Sequence, residues 1–448
     1  MARLHLWLSL TTTCLMLAAA SSVRAQAWLS DRKRTEGHGI RVGDLELHPG
    51  VGVEGGYYTN PFYADKNVEG AGALRISPHL FLSTLGAERS GADNGTAAPG
   101  WVRFIGGFAG TLHHYFTDPA RTPVGTDVKM ELTLAPERPV GLRLSETLNI
   151  SGLPFSDTTL PAATNSANSR RPNFTRYRNN AAAQVLLQTS GGLLKGSLGY
   201  QFGFMLFEDN RFQLNNMLLH TAMLDASWEF LPKTALFYEA RYSFQDYPNG
   251  GSASGRPLDP LESVNLVSTR LGINGAITSR WGATLALGYG AGFFRGGGDD
   301  PERLIGQAEL RFTPSDMSQV ALAADRSMVP AYQGNFQESN RIFAHLRWLI
   351  ARVVLVGLRG GIEFLSFGHD STQAALAMRE SAGDRKDRRY FGEVSGEYRF
   401  VDWLAVTAQA NMLIDDTKFA FQPVDPNVAV DPAKFTAFEF WLGLRAFY

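Results

Sequence analysis

Segment after segment of this chain alternates apolar and polar residues with period two, over runs of about ten positions. Successive side chains of an extended strand point to opposite faces, so each run describes a strand with one apolar and one polar side. Val128, Met130, Leu132 and Leu134 share one side, with Lys129, Glu131 and Thr133 on the other. Leu142, Leu144 and Leu148 oppose Arg143, Ser145, Thr147 and Asn149. Leu194, Leu198, Tyr200, Phe202, Phe204 and Leu206 oppose Lys195, Ser197 and Gln201, and Leu236, Tyr238, Tyr242 and Phe244 oppose Glu239, Arg241, Ser243 and Gln245. Val394, Tyr398 and Phe400 stand against Glu393, Ser395, Glu397 and Arg399. No stretch of similar length carries a sustained helical stripe.

The connections separate a membrane barrel from a soluble sandwich. Tight turns are expected at 136–139, 190–192, 232–233, 278–280, 314–316, 351–352 and 401–402. Long polar connections lie between them at 151–175, 208–215, 247–262, 294–302, 327–338, 368–388 and 415–434. Short turns alternating with long loops are the rhythm of neighbouring up-and-down strands crossing an outer membrane. Greek-key crossovers of a sandwich do not impose it. The expected fold is all-β: a transmembrane antiparallel up-and-down barrel of eighteen strands, sixteen being the alternative, with both ends in the periplasm. Its first strand falls near 47–58 and its last at 435–448. Ser77-Pro78 interrupts the second strand, and the Gly-rich 86–100 segment is long for a periplasmic turn.

The N-terminus sets the compartment. Arg3 precedes an apolar stretch from Leu6 to Ala20, followed by small residues and cleavage points after Ala25 or Ala27. That stretch is shorter than the ~20 residues a spanning helix needs, so residues 1–25 read as a signal peptide. Residues 26–46 are then a short periplasmic segment, and 47–448 the barrel. The only cysteine, Cys14, lies in the leader, which leaves a mature chain without a disulfide, a thiolate metal ligand or a cysteine nucleophile. The chain carries 42 basic and 43 acidic residues, so no basic field is available to hold nucleic acid. The most apolar later stretch, Trp348 to Leu358, contains Arg352 and is too short to span as a helix.

The C-terminus carries the sharpest motif. Phe438, Phe440, Leu442, Leu444, Ala446 and terminal Tyr448 occupy every second position, with Glu439, Gly443 and Arg445 opposite. This resembles the signal by which outer-membrane barrels are recognised, so the barrel-assembly machinery is an expected partner, along with outer-membrane lipid. The polar sides of the strands give an expected pore lining of Arg75, Arg103, Lys129, Glu131, Arg143, Lys195, Glu239, Arg241, Arg270, Glu309, Arg311, Arg341, Arg347, Arg359, Glu363, Glu393, Glu397, Arg399, Glu439 and Arg445. Both signs are interspersed, which argues against a filter of one charge. The bland reading is that neighbouring strands pair these charges.

Candidate chemistry is sparse. His113 and His114 are adjacent on a strand and point to opposite faces, so they cannot share one ion. Asp299-Asp300 and Asp415-Asp416 fall in expected external loops without the alternating acids of a calcium loop. The Gly triplet at 296–298 precedes no helix, and the chain has no Gly-x-Ser-x-Gly or His-Glu-x-x-His pattern. No enzyme activity, cofactor or metal is expected.

Residues 40–63 and 68–85 carry a resemblance through Gly43, Pro49, Gly50, Tyr57, Asn60, Ser77 and Pro78. They resemble the opening of a family of bacterial outer-membrane barrels associated with surface polysaccharide production, among which the Wzp-type barrels of myxobacteria are the nearest likeness. The resemblance implies a channel in a Gram-negative outer membrane that passes a polysaccharide, fed by a periplasmic polysaccharide export protein. It implies no catalytic residue. The alternatives are a general diffusion porin, a loop-active barrel enzyme and a structural barrel plugged by its own loops.

Overall fold

The computed structural model describes residues 39–61, 63–66, 68–84, 100–117, 123–152, 175–208, 213, 216–249, 263–295, 300–330, 336–368, 385–421 and 431–448. The expected signal peptide, Cys14, Asp299 and the Gly triplet lie outside them. In chain order the strands begin with β1 (Ile40–Val42), β2 (Leu45–Tyr58), β3 (Ala71–Thr84), β4 (Val102–Tyr115), β5 (Val124–Leu134), β6 (Val140–Ser151) and β7 (Arg176–Gln188). They continue as β8 (Leu194–Phe207), β9 (Met217–Leu231), β10 (Thr234–Asp246), β11 (Val264–Ala276), β12 (Trp281–Phe294), β13 (Glu302–Ser315) and β14 (Ser318–Pro330). The last are β15 (Phe336–Ile350), β16 (Val354–Phe367), β17 (Lys386–Val401), β18 (Leu404–Thr417), β19 (Ala420–Phe421), β20 (Asp431–Pro432) and β21 (Phe435–Phe447).

Each strand from β2 to β18 pairs antiparallel with its chain neighbour, and β21 closes the ring by pairing with β18 on one side and β2 on the other. The result is a closed antiparallel barrel of eighteen strands, β2 to β18 plus β21. Closure leaves no edge in lipid, where unpaired backbone groups are costly. Among the described residues the only other sheet is the small pair β19–β20 in the last long connection.

β1 was not expected. It pairs with residues 45–47 of β2, below the point where β21 ends, and Gly43 supplies the tight turn at φ +62°. Ser77-Pro78 does not break β3. The β2–β3 ladder runs through both residues, and only the β3–β4 ladder skips them, between Ile76↔Leu112 and His79↔Ala109, because proline has no N–H to give that neighbour. The turn between β15 and β16 uses Ala351 and Arg352 at φ +49° and +62°.

Two expected loops are shorter than their sequence suggests. Residues 327–330 and 336–338 continue β14 and β15 as a paired hairpin, down to Pro330↔Phe336. Asp415 and Asp416 belong to β18, opposite Arg389 and Arg388. Polar residues at the ends of strands that outreach the lipid look like loop in the sequence, because nothing forces apolar alternation there.

Candidate functional site

Exposed large apolar side chains occupy one face of the wall. They include Val51, Val53 and Tyr57 on β2, Leu285, Leu287 and Tyr289 on β12, and Phe440, Leu442 and Leu444 on β21. At the short-turn end, Trp101, Trp228, Trp281, Trp348 and Trp403 are all exposed, forming an interfacial aromatic girdle. A closed barrel with such a belt is a protein of the Gram-negative outer membrane. The apolar C-terminal set Phe438, Phe440, Leu442, Leu444, Ala446 and Tyr448 alternates on this same lipid side.

The ladder registers place every one of the expected lining residues on the opposite face. Arg75 pairs across to Glu54 and His113, Lys129 to Thr147, and Arg143 to Thr133 and Gln184. Glu239 faces Arg270 and Asp225, Arg341 faces Glu363 and Asp325, and Arg359 faces His345 and Glu393. Arg103 and Glu131 follow the parity of Thr133 and Ser145, and Lys195, Arg241, Glu309, Arg311, Arg347, Glu397, Arg399, Glu439 and Arg445 take the same side of their strands.

On that inner face many of the charges meet partners on the same strand or on one nearby. Arg75 pairs with Glu54, which also accepts from the Thr407 hydroxyl at 3.2 Å. Arg270 meets Glu239 at 3.2 Å, Arg341 meets Asp325 at 2.8 Å, and Arg143 lies 3.8 Å from Glu131. Arg389 sits between Glu363 at 3.5 Å and Asp415 at 3.4 Å, while Glu397 is shared by Arg399 at 2.6 Å and Arg445 at 2.7 Å. Lys195–Glu229, Arg241–Asp225 and Arg311–Glu309 complete the pattern. The wall is thus strongly polar, with both signs interspersed and many of its charges paired.

Several inward carboxylates escaped the sequence reading: Glu54, Asp127, Asp225, Asp325, Asp387 and Asp415. The signal was present, since Asp225 and Asp325 alternate with Leu224 and Ala324 as the recognised charges do with their neighbours. The inner-face aromatic rings are mostly packed away. Tyr58, Tyr115 and Trp441 form a buried cluster with Ala71 and Ala73, and Arg75 lies 4.3 Å over the indole. Phe343 is buried beneath Arg341 and Arg359, at 5.0 Å and 5.5 Å.

The adjacent histidines divide between the faces. His113 is buried on the inner side against Trp441, and His114 stands on the outer side beside Phe116 at 5.6 Å. Asp300 accepts a backbone hydrogen bond from Phe294 at 2.9 Å. Among the described residues, no three His, Cys, Asp or Glu side chains converge as metal ligands.

The external mouth has two features of its own. The β13–β14 ladder stops at Gly306↔Arg326, whereas β14–β15 continues to Pro330↔Phe336. Above that split, Met328 and Glu338 carry the parity of the lipid face but lie near the inner-face positions Gly290 and Arg303. A Cβ at Gly290 would stand 3.3 Å from Ile305 and 3.8 Å from Met328, and Glu338 pairs with Arg303 at 2.9 Å and Arg326 at 2.6 Å. The hairpin tip therefore leans to the lumen side of β12 and β13. Beside it, Arg385 and Asp387 form a fully buried pair at 2.6 Å, with the guanidinium between Phe367 at 4.3 Å and Phe419 at 5.0 Å.

No family model matches the chain, and no curated protein does either. Solved structures similar to it include the outer membrane protein OpdK from Pseudomonas aeruginosa, with a TM-score of 0.44 and 10% identity over 90% of this chain and 99% of that one. The FrpB iron transporter from Neisseria meningitidis has a TM-score of 0.43 and 8% identity over 90% of this chain and 81% of its own. An anion-selective porin from Comamonas acidovorans has a TM-score of 0.38 and 11% identity over 90% and 99%.

Proposed function

We propose that this outer-membrane barrel is a passive diffusion channel for small hydrated solutes. The observation that carries the reading is the inner face: eighteen strands enclose a polar wall on which many charges of opposite sign are paired within and between strands. Barrels of 16–18 strands enclose an aqueous lumen of about channel width, where about eight strands would fill with side chains. Fixed, paired dipoles replace bulk water for a passing solute without holding it tightly, because many of the wall charges already have a partner. The driving force is the solute's own gradient.

Export of a polysaccharide, with a periplasmic export protein at the short-turn end, is the reading implied by the resemblance and would use the same lumen. Deleting the gene separates the two. Diffusion requires slower uptake of small polar solutes with every surface and secreted glycan unchanged. Loss of one exported glycan, with its synthesis intact and small-solute uptake unaffected, would replace diffusion by export.

A further inference from the structure

The lipid face has one chemical exception at mid-depth. Glu146 lies midway along β6 with the parity of Leu144 and Leu148, facing outward between Met130 and Ala181. Among the described residues it is the only Asp, Glu, Lys, Arg or His side chain in the middle of that face. Asp246, Glu302, Lys386, Arg388, Asp416, His114 and His220 lie at or near the loop ends of their strands, and Arg326 and Glu338 belong to the leaning hairpin. The Asn179 amide, one strand away on β7, donates to the Glu146 carboxylate.

A carboxylate in the hydrocarbon belt is unfavourable, and one amide leaves its second oxygen without a donor. Intramembrane surfaces that tolerate polar groups are those covered by protein, with small residues for close approach and polar side chains as the adhesive. Both are present here: Ala181 and Ala183 face outward next to Asn179, flanked by exposed Leu144, Val185 and Leu187.

We propose that the outer face of β6 and β7 is the contact between two copies of this chain in the membrane, each presenting the same patch to the other. Self-complementarity selects a second copy over another partner. The patch offers unused acceptor capacity on Glu146 and a second N–H on Asn179, so each copy presents what the other lacks.

The test uses the full chain in lipid nanodiscs or native vesicles. Ala183→Cys is compared with Leu285→Cys, on exposed lipid-facing β12, by disulfide cross-linking, and wild type is weighed by native mass spectrometry. The proposal expects an oligomer that cross-links through position 183 and not 285, with Glu146→Leu lowering the yield at 183 severalfold and Glu146→Gln largely retaining it. A wild-type monomer carrying only bound lipid, or equal yields at 183 and 285, would overturn it, and both readings remain available even if the Leu variant does not assemble.

Discussion

The indole ring of Trp441 lies over the backbone of Gly56, filling the space that a side chain there would need. The contact spans the seam where the last strand meets the first, at Gly56↔Trp441. Beyond it the ring packs edge-on against Tyr58 at 5.3 Å and beneath Arg75. A side chain at 56 would displace the indole from the ladder that closes the barrel. Gly56→Val is expected to destabilise the fold by about 1–3 kcal/mol, the usual cost of overpacking. The check is a lower temperature for conversion from the folded to the unfolded band on electrophoresis, while Gly55→Val, where a Cβ meets nothing within 4 Å, leaves it unchanged.

The C-terminal strand supplies a second expectation. Phe440 and Tyr448 are exposed on the lipid side, so truncating them removes no buried packing from the wall. Replacing both with Ala should reduce the amount of folded protein in the outer membrane while leaving the melting of the assembled fraction nearly unaltered. Normal yield of the heat-modifiable form would show that these residues do not guide assembly.

Arg385 and Asp387 should be among the least replaceable side chains at the loop end, since neither has any contact with solvent. Arg385→Ala leaves a buried carboxylate unpaired, which costs about 3–5 kcal/mol when one partner of a buried ion pair is removed. Hydrogen exchange in residues 364–367 and 385–388 should accelerate strongly. Exchange that matches wild type would mean that the pair does not hold this part of the wall.

Most of the fold was legible in the alternation. Strand parity at Leu142/Arg143 or Val394/Glu393 is set by lipid on one side and water on the other, so each position declares its face independently of its neighbours in space. The last strand is legible for the same reason. What escaped is decided by contacts across the sheet or beyond the lipid. Glu146 interrupts an otherwise apolar set, and its amide partner Asn179 lies on the next strand, after a long connection. The β14–β15 extension carries no lipid-facing requirement, so Ser327 and Glu338 resemble loop until the ladder pairs residues 327–330 with 336–339 and Arg303 meets Glu338. The polar face of each strand could be named from the sequence, but the pairing of its charges depends on how the sheet folds, which brings Arg445 to Glu397 two strands away.

The leaning hairpin yields an expectation about the pore mouth. Glu338 holds its tip through Arg303 and Arg326, so Glu338→Ala removes both ion pairs at once. Unitary conductance or open-state noise should rise, with barrel stability little affected because the pair ladder β14–β15 is retained. Conductance identical to wild type would place the hairpin outside the path of ions.

Recording purified protein in planar lipid bilayers asks the main question at once, because ions report an aqueous path whatever the physiological solute. Diffusion through a lumen of paired charges predicts stepwise, ohmic conductance in potassium chloride and a small reversal potential under a salt gradient. Folded protein that inserts and gives no steps above the protein-free bilayer would contradict it.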